Sequence, residues 1–396
     1  MRPVTATSAL SERQFAALVE TLSSNSTRRA KLTDLLREDH PVYDQRSAAA
    51  IVRMRGWILV ALSNVGLTDT TLLFVLEELD TGRDAYLVAA AARALRSYPK
   101  PVAAFAPFVM RAITNIRYHD DYVTFEHYGE YATSATETTP LRELLTTLVW
   151  LGPHACDILP ELETLRVNHG GGFSDKLLLE IDRALEAISR PPSPRKHTTE
   201  MCCNLPRSIG DAISWGRGFR RGCETIESTV FEDHDGAAIT FREFFRGHPS
   251  VVVFFYTRCD NPQKCSLTIA KLARLQNLLL ERGLAEQIRT AAITYDPGFD
   301  IPERLRGYAK NRGVLMNIDH RMLRAVEGLN ELREHFKLGV NFVESLVNRH
   351  RIEVYLLDAA GRIAASLERI HWDEQQIMDR AVALLNEERR ATSSAG

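Results

Sequence analysis

The chain falls into two parts that differ in the spacing of their hydrophobic residues. In the first part, apolar residues recur three and four positions apart, which predicts amphipathic helices. The clearest such runs are residues 45–65, 84–98 and 141–151. After residue 224, short apolar runs bounded by turn residues alternate with helical segments. This second pattern predicts strands and helices combined in one domain.

The helical part contains a recurring unit. Similar helix ends, spaced 33, 53 and 37 residues apart, occur at Ala61-Leu62, Ala94-Leu95, Thr147-Leu148 and Ala184-Leu185. The longest interval fits one unit plus an insertion, for which the polar segment 117–137 is the candidate. A period in the thirties built of paired helices is typical of an α-solenoid, and the segment resembles HEAT-type repeats. We expect an all-α, HEAT-like repeat domain over 10–190 that binds a protein partner. An irregular helical bundle is the alternative.

The second part has the strand and helix order of an α/β domain. Residues 250–257 are a continuous apolar run, as expected of a central strand buried on both faces. Further strands are predicted at 226–231, 238–240, 290–294, 314–318, 353–357 and 362–366. Helices are predicted at 266–282, from Pro302, at 329–336 and at 373–388. This alternation, with its terminal hairpin and helix, predicts a thioredoxin-like fold over 225–390.

A Pro-rich, basic segment joins the two predicted domains. We assign 191–224 to a linker that holds Cys202, Cys203 and Cys223. These cysteines are interpreted as ordinary linker residues, with an auxiliary thiol cluster or copper relay as the alternative. Cys156 lies within the helical repeats and is expected in the core.

Composition narrows the class of protein. A chain of 396 residues is longer than one hydrophobic core usually supports, which favours two domains. Its net charge of -2 gives no positive electrostatic field that would attract nucleic acid. No apolar run approaches the ~18 residues of a spanning helix, and no signal peptide is recognisable at the amino terminus. We therefore expect a cytoplasmic protein without a membrane span. Its six cysteines are too few and too scattered for a disulfide-built scaffold.

Two cysteines carry the strongest chemical signal. Cys259 and Cys265 lie between the apolar strand and the following helix, in TRCDNPQKCSLT. A helix amino terminus and the neighbouring Arg258 and Lys264 favour thiolates, which are both nucleophiles and ligands for soft metals. The turn expected at Asn261-Pro262 brings the sulfurs together. The pattern indicates a redox or metal site.

The same region resembles a known family. The string VVFFYTRCDNPQKCSLTIAKLARLQ is similar to the Sco/SenC family of thioredoxin-like copper proteins, which assist assembly of the copper centre of cytochrome oxidase. The motif AAITYDP, with Asp296, matches the family's acidic residue after the next strand. In NRHRIEVYLLDAAGR, His350 stands five residues before Tyr355-Leu356, where the family has its third metal ligand. The likeness covers 230–385.

The resemblance implies a copper site formed by Cys259, Cys265 and His350, as two thiolates and one imidazole. Two features depart from the family. Five residues separate the cysteines where the family typically has three, and a helical-repeat domain stands where the family usually has a membrane anchor.

Three hypotheses follow. In the first, the protein is a copper-binding or electron-transfer accessory factor, not an enzyme, and its helical repeats contact a copper-receiving or redox protein. The second is a thiol–disulfide oxidoreductase in which Cys259 attacks and Cys265 resolves. The third is a non-catalytic scaffold whose cysteine site is vestigial.

Overall fold

The computed structural model describes residues 10–125, 137–168, 172–190 and 216–394. The chain divides into two compact units, Met1–Ile213 and Ser214–Gly396. We call them the helical unit and the sheet unit. Cys202 and Cys203 lie outside the described residues.

The regular structure described in the helical unit consists of helices. They are α1 Glu12–Ser23, α2 Arg29–Leu35, α3 Ala48–Val65, α4 Asp69–Thr81, α5 Ala85–Leu95, α6 Ala106–Ile116, α7 Pro140–Leu151, α8 Leu159–Val167 and α9 Asp175–Ser189. The helices predicted from 45–65, 84–98 and 141–151 are confirmed. Several begin at a side chain that caps the first turn, such as Ser47 before α3 and Thr139 before α7.

Successive helices of this unit pack on one another. Helix α3 contacts α5, α5 contacts α7, and α7 contacts α9, while α4 contacts α6. Helix α3 is long and apolar enough to span a membrane by length and composition, although core helices meet the same criterion. It carries the buried Arg55, whose guanidinium lies 3.3 Å from Glu38 and 3.2 Å from Glu78, both also buried. This ion-paired arginine marks α3 as a packed core helix.

One prediction for the helical unit is wrong, and another concerns a segment that lies partly outside the described residues. Cys156 is exposed, so its assignment to the core is wrong. It lies in the short 3₁₀ segment Gly152–Ile158, which turns Ala155 inward and leaves Cys156 outside. Of the predicted insertion 117–137, residues 126–136 lie outside the described residues, and Val123 forms a β-bridge with Thr138.

The sheet unit mixes strands and helices as predicted. Its strands are β1 Gly216–Arg221, β2 Val230–Asp233, β3 Ala238–Thr240, β4 Ser250–Phe255, β5 Arg289–Thr294, β6 His320–Ala325, β7 Val340–Val343, β8 Leu346–His350, β9 Glu353–Leu357 and β10 Ile363–Glu368. Its helices are α10 Phe241–Phe245, α11 Leu267–Glu281, α12 Pro302–Lys310, α13 Leu329–Phe336 and α14 Glu374–Ser394.

Eight strands form one mixed sheet in the order β1-β10-β9-β4-β5-β6-β2-β3. Strands β4, β5 and β6 are parallel, and the other neighbours are antiparallel. All six residues of β4 are buried, which confirms its prediction as a central strand. Strands β7 and β8 form a separate hairpin. This architecture places β4 in the middle of the eight-stranded sheet, between the antiparallel β9 and the parallel β5. Ligands commonly bind beyond the carboxyl ends of such strands in α/β domains.

The strand predicted at 314–318 is wrong. The backbone N–H of Val314 donates to Ala309 at the end of α12, and Ile318 is exposed. The strand begins instead at His320, in a segment interrupted by two arginines that conceal its apolar positions. Strand β1 lies within the range predicted as linker, and the β7–β8 hairpin has no counterpart among the predicted strands.

Candidate metal centre

The backbone before Cys259 is fixed by a buried carboxylate. The N–H of Thr257 donates to Asp300 over 3.1 Å, and the hydroxyls of Thr257 and Thr294 hydrogen-bond to the same carboxylate. Because Thr294 ends β5 and Thr257 follows β4, Asp300 ties together the ends of two neighbouring parallel strands. The segment leading to the first cysteine is therefore held in place by the sheet.

The second cysteine lies in an unusually wide helical turn. Residues Pro262–Ser266 form a π-helical turn immediately before α11, and the Asn261 side chain accepts from the N–H of Gln263 over 3.0 Å. A π-turn contains more backbone per turn than an α-helix and often marks a functional site. The π-turn accommodates the five residues that separate the two cysteines. Cys265 is buried, and Cys259 is half-buried.

His350 brings the third donor atom to the cysteines. It ends strand β8 and is buried. Its Nε2 atom lies 3.4 Å from the Cys259 sulfur and 3.5 Å from the Cys265 sulfur. The donor atoms of the three residues all lie within 4.8 Å of one another. The structure thus brings together the three predicted site residues.

The hydrogen bonding of His350 determines which ring nitrogen faces the sulfurs as an acceptor. Its Nδ1 atom lies 3.0 Å from the backbone carbonyl of Arg351. A carbonyl only accepts, so Nδ1 carries the hydrogen and Nε2 of the neutral ring presents its lone pair to the cysteines. Tyr256 and Tyr295 flank the ring, with centroids 5.3 Å and 5.6 Å away. A ring held in this way is prepared to ligate a metal through Nε2.

The two thiols differ in acidity. The hydrogen bond from Cys265 lowers the pKa of Cys259, against the effect of burial. Burial and the adjacent Cys259 charge raise the pKa of Cys265. Without a metal, the pair therefore shares one proton, with Cys259 as the thiolate and Cys265 as the thiol.

A buried polar network lies behind His350. The Glu353 carboxylate accepts hydrogen bonds from Tyr295 Oη at 2.7 Å, Tyr355 Oη at 2.5 Å, Arg351 Nη2 at 3.1 Å and the N–H of Gly339 at 3.1 Å. Burial raises the pKa of Glu353. The network holds β9, β5 and the chain before β7 together, so it fixes the strand ends that surround His350.

Asp296, the acidic residue of the predicted motif, does not join the donor group. Its carboxylate pairs with Arg258 next to Cys259. The Arg258 guanidinium also stacks on Phe299, 4.0 Å from the ring centroid. Asp296 therefore anchors a neighbour of the first cysteine.

The sequence does not predict the buried contacts of two other residues near the site, Lys264 and Glu353. The sequence places Lys264 beside the sulfurs as a charge, and in the structure its ammonium is buried and donates to the His350 carbonyl over 2.7 Å. Glu353 begins the otherwise apolar strand β9, and nothing in the sequence shows that three side chains surround it. Cys223 is buried in the sheet unit, with its sulfur 3.3 Å from the Ala360 carbonyl oxygen.

The fold and site together describe an α/β domain whose mixed sheet is consistent with the thioredoxin-like class, with a two-cysteine, one-histidine centre at the end of its central strand. Residues 224–386 match the family model described as SCO1/SenC. This part of the chain is a SCO1/SenC domain.

Several solved structures are similar to the same part of the chain. A SCO1/SenC family lipoprotein from Bacillus anthracis is 20% identical, covering 42% of this chain and 97% of its own, with a TM-score of 0.36. BsSco, a member of the Sco family of cytochrome c oxidase assembly proteins, is 19% identical, covering 43% and 96%, with a TM-score of 0.37. Yeast Sco1 with copper bound is 22% identical, covering 41% and 91%, with a TM-score of 0.33. No curated protein matches the chain.

Proposed function

We propose that the sheet unit binds copper through Cys259, Cys265 and His350, and that the protein is a Sco-type accessory factor and not an enzyme. The observation that carries this proposal is the convergence of two sulfurs and one imidazole nitrogen within 4.8 Å. Thiolates and imidazole are donors that copper favours, and thiolates suit Cu(I) in particular. The match of this domain to the SCO1/SenC model supports the same assignment.

The residues fit the metal in orientation as well as in type. The Arg351 carbonyl fixes the His350 tautomer, so Nε2 needs no rearrangement to become a ligand. Cys259 is already the thiolate, so Cys265 is the ligand that must release a proton. Bound copper supplies a transferable ion and a one-electron couple. Because Cys259 is the least buried of the three donors, a recipient protein reaches the centre from its side.

Copper titration of the reduced protein tests this proposal. One Cu(I) per chain is expected, measured by competition with a chromophoric chelator under anaerobic conditions. Cys259→Ser combined with Cys265→Ser removes both sulfurs and should abolish stoichiometric binding. Unchanged stoichiometry in that double variant would contradict the site.

The process we propose is assembly of the copper centre of cytochrome oxidase. The resemblance of the cysteine and histidine motifs to the Sco/SenC family supports this choice. Cells lacking the protein should lose oxidase activity, and added copper or the wild-type gene should restore it. Restoration by the Cys259→Ser, Cys265→Ser variant would instead favour a scaffold with a vestigial site.

A thiol–disulfide oxidoreductase is the second candidate, and the unequal thiols favour it. The half-buried Cys259 thiolate attacks a partner disulfide, one partner sulfur leaves as a thiolate, and a mixed disulfide forms. Cys265 then loses its proton and attacks Cys259, which releases the second partner thiolate and leaves an intramolecular disulfide. Cys265→Ser should trap the mixed disulfide, whereas Cys259→Ser should trap none.

For the helical unit, we propose a HEAT-like repeat that presents a surface to the recipient protein. The succession of contacts through α3, α5, α7 and α9 supports repeated packing of helices. Exposed apolar side chains on this unit, including Val167 and Leu179, are candidate contact residues. Cross-linking of the full chain in its own cell should give partner cross-links on residues 10–190. Cross-links restricted to the sheet unit would contradict this surface.

A further inference from the structure

Helix α12 and the two residues after it carry a local excess of positive charge, although the net charge of the chain is -2. Residues 302–312 contain four arginine or lysine residues and one glutamate. Arg304 and Tyr308 are four residues apart, so they lie on the same side of the helix, and Arg312 continues the row with the same spacing. Arg304 is exposed, and the other two are half-buried.

Contacts at both ends connect this row to residues that adjoin the cysteines. At one end, the Arg304 guanidinium lies 3.8 Å from the ring centroid of Phe299. Arg258, directly before the first cysteine, stacks on the same ring at 4.0 Å. At the other end, Arg312 Nε donates to the hydroxyl of Ser266, directly after the second cysteine, over 3.2 Å. The row therefore runs beside the segment that holds both sulfurs.

The charges of Arg304 and Arg312 are not cancelled by a carboxylate within the part of the chain that the structure describes. Arg304 Nη1 donates to the Phe299 carbonyl over 2.6 Å. Arg312 Nη1 donates to the Tyr308 carbonyl over 3.2 Å, and its guanidinium lies 3.5 Å from the Tyr308 ring centroid. In contrast, Arg306 of the same helix pairs with an aspartate. Stacking and hydrogen bonds to neutral groups thus hold two guanidiniums in place and leave their charge available.

We propose that an arginine strip beside the centre is the docking surface for an acidic face of the protein that receives copper. The strip consists of Arg258, Phe299, Arg304, Tyr308 and Arg312. This inference rests on the proposed function and adds the chemistry of the recipient. Arginine and aromatic side chains are enriched at protein interfaces, and arginine binds carboxylates in a bidentate manner.

The position of the strip suits the transfer of a metal ion. Copper passes to a recipient only where the recipient reaches the centre, so its contact extends to the sheet unit whatever the helical unit binds. Cys259, the least buried of the three donors, follows Arg258 of the strip directly. Opposite charges on the two proteins raise the rate at which they associate and orient them, and salt weakens this attraction.

Copper transfer from the full chain to the copper-free copper subunit of cytochrome oxidase from the same cell tests the strip. Arg304→Glu combined with Arg312→Glu reverses the two charges, and the transfer rate at low salt should fall by roughly tenfold or more. Salt should slow wild type much more than this variant. Arg304→Lys combined with Arg312→Lys keeps the charges and should keep the salt dependence of wild type. The exposed pair Arg242→Glu and Arg282→Glu matches the change in net charge and should transfer as wild type.

Cu(I) stoichiometry, measured first for each protein, separates docking from metal binding. A copper-loaded Arg304→Glu, Arg312→Glu variant that transfers as fast as wild type would overturn the strip. Equal slowing in the Arg242→Glu, Arg282→Glu control would assign the effect to net charge and also overturn it.

Two further outcomes identify other occupants or a failure of the site. If the Arg304→Glu, Arg312→Glu variant loses binding to phosphatidylglycerol vesicles while its transfer rate is unchanged, the strip faces a membrane and the inference is wrong. Wild type that binds copper but transfers none to the oxidase subunit would overturn the inference and leave the copper site intact. Wild type that binds no copper would instead overturn the proposed function, and the inference with it.

Discussion

The Nε2 atom of His350 lies 3.4 Å from the sulfur of Cys259, although 91 residues separate them along the chain. Cys259 follows the central strand of the main sheet, whereas His350 ends a hairpin outside that sheet. The contact depends on the packing of the hairpin and on the Nδ1 hydrogen bond that fixes the ring. The centre is therefore assembled by tertiary structure, with its acceptor nitrogen already facing the sulfurs.

Loss of the imidazole should weaken copper binding strongly. His350→Ala removes one of three donors, and we expect Cu(I) affinity to fall by more than the roughly 10- to 100-fold typical of an outer-shell partner. Chelator competition measures the change. His248→Ala is the matched control in the same unit and should bind as wild type. Equal affinities in the two variants would eliminate His350 as a ligand.

Cys259 should react as a thiolate below neutral pH. The Cys265 hydrogen bond lowers the pKa of Cys259, so its alkylation rate should stay nearly level between pH 8 and pH 6. In Cys265→Ala the main stabilising hydrogen bond is lost, and the rate should fall severalfold over this range. Iodoacetamide labelling followed by peptide mass spectrometry measures each site, with exposed Cys156 as the internal reference. A similar pH profile in both proteins would contradict the proton-sharing pair.

Removal of the buried Glu353 carboxylate should destabilise the sheet unit. Glu353→Ala leaves Arg351 and two tyrosine hydroxyls without this partner, at a cost of about 3–5 kcal/mol in free energy of unfolding. Hydrogen exchange in β9 and β10 measures the loss within the full chain. The exposed Glu286→Ala should leave this exchange unchanged. Protection equal to wild type in Glu353→Ala would show that the network contributes little.

Mild acid should destabilise the sheet unit through His320. Burial lowers the pKa of this histidine, and its Nδ1 lies 3.0 Å from Thr290 Oγ1, which accepts from Gln276. The folded state therefore binds fewer protons than the unfolded state below about pH 6.5, and stability falls as pH drops through that value. His320→Gln should reduce the difference in β6 hydrogen-exchange protection between pH 7.5 and pH 5.5. The same pH dependence in wild type and variant would exclude His320 as its source.

Much of the site could be predicted because the strand, the two cysteines and the following helix are neighbours along the chain. The apolar run at 250–257 predicted the buried strand, and that strand places Cys259 and Cys265 at the start of a helix. The helices at 45–65, 84–98 and 141–151 were equally readable, because each buries a face with helical spacing. The sequence pattern misplaces strand β6 because its arginines interrupt the apolar residues, while the loop before it has more of them.

The pattern of residues along the chain is enough to indicate a helical part and an α/β part, the cysteine pair and, through its register with Tyr355, the candidate imidazole. The packing of distant segments establishes that Nε2 is the nitrogen facing the sulfurs, that Lys264 is buried against the His350 carbonyl, and that Glu353 holds the strands behind them. Local spacing determines which side chains share a strand or a helix. Hydrogen bonds between segments far apart in the chain depend on how those segments pack, and no local pattern records that packing.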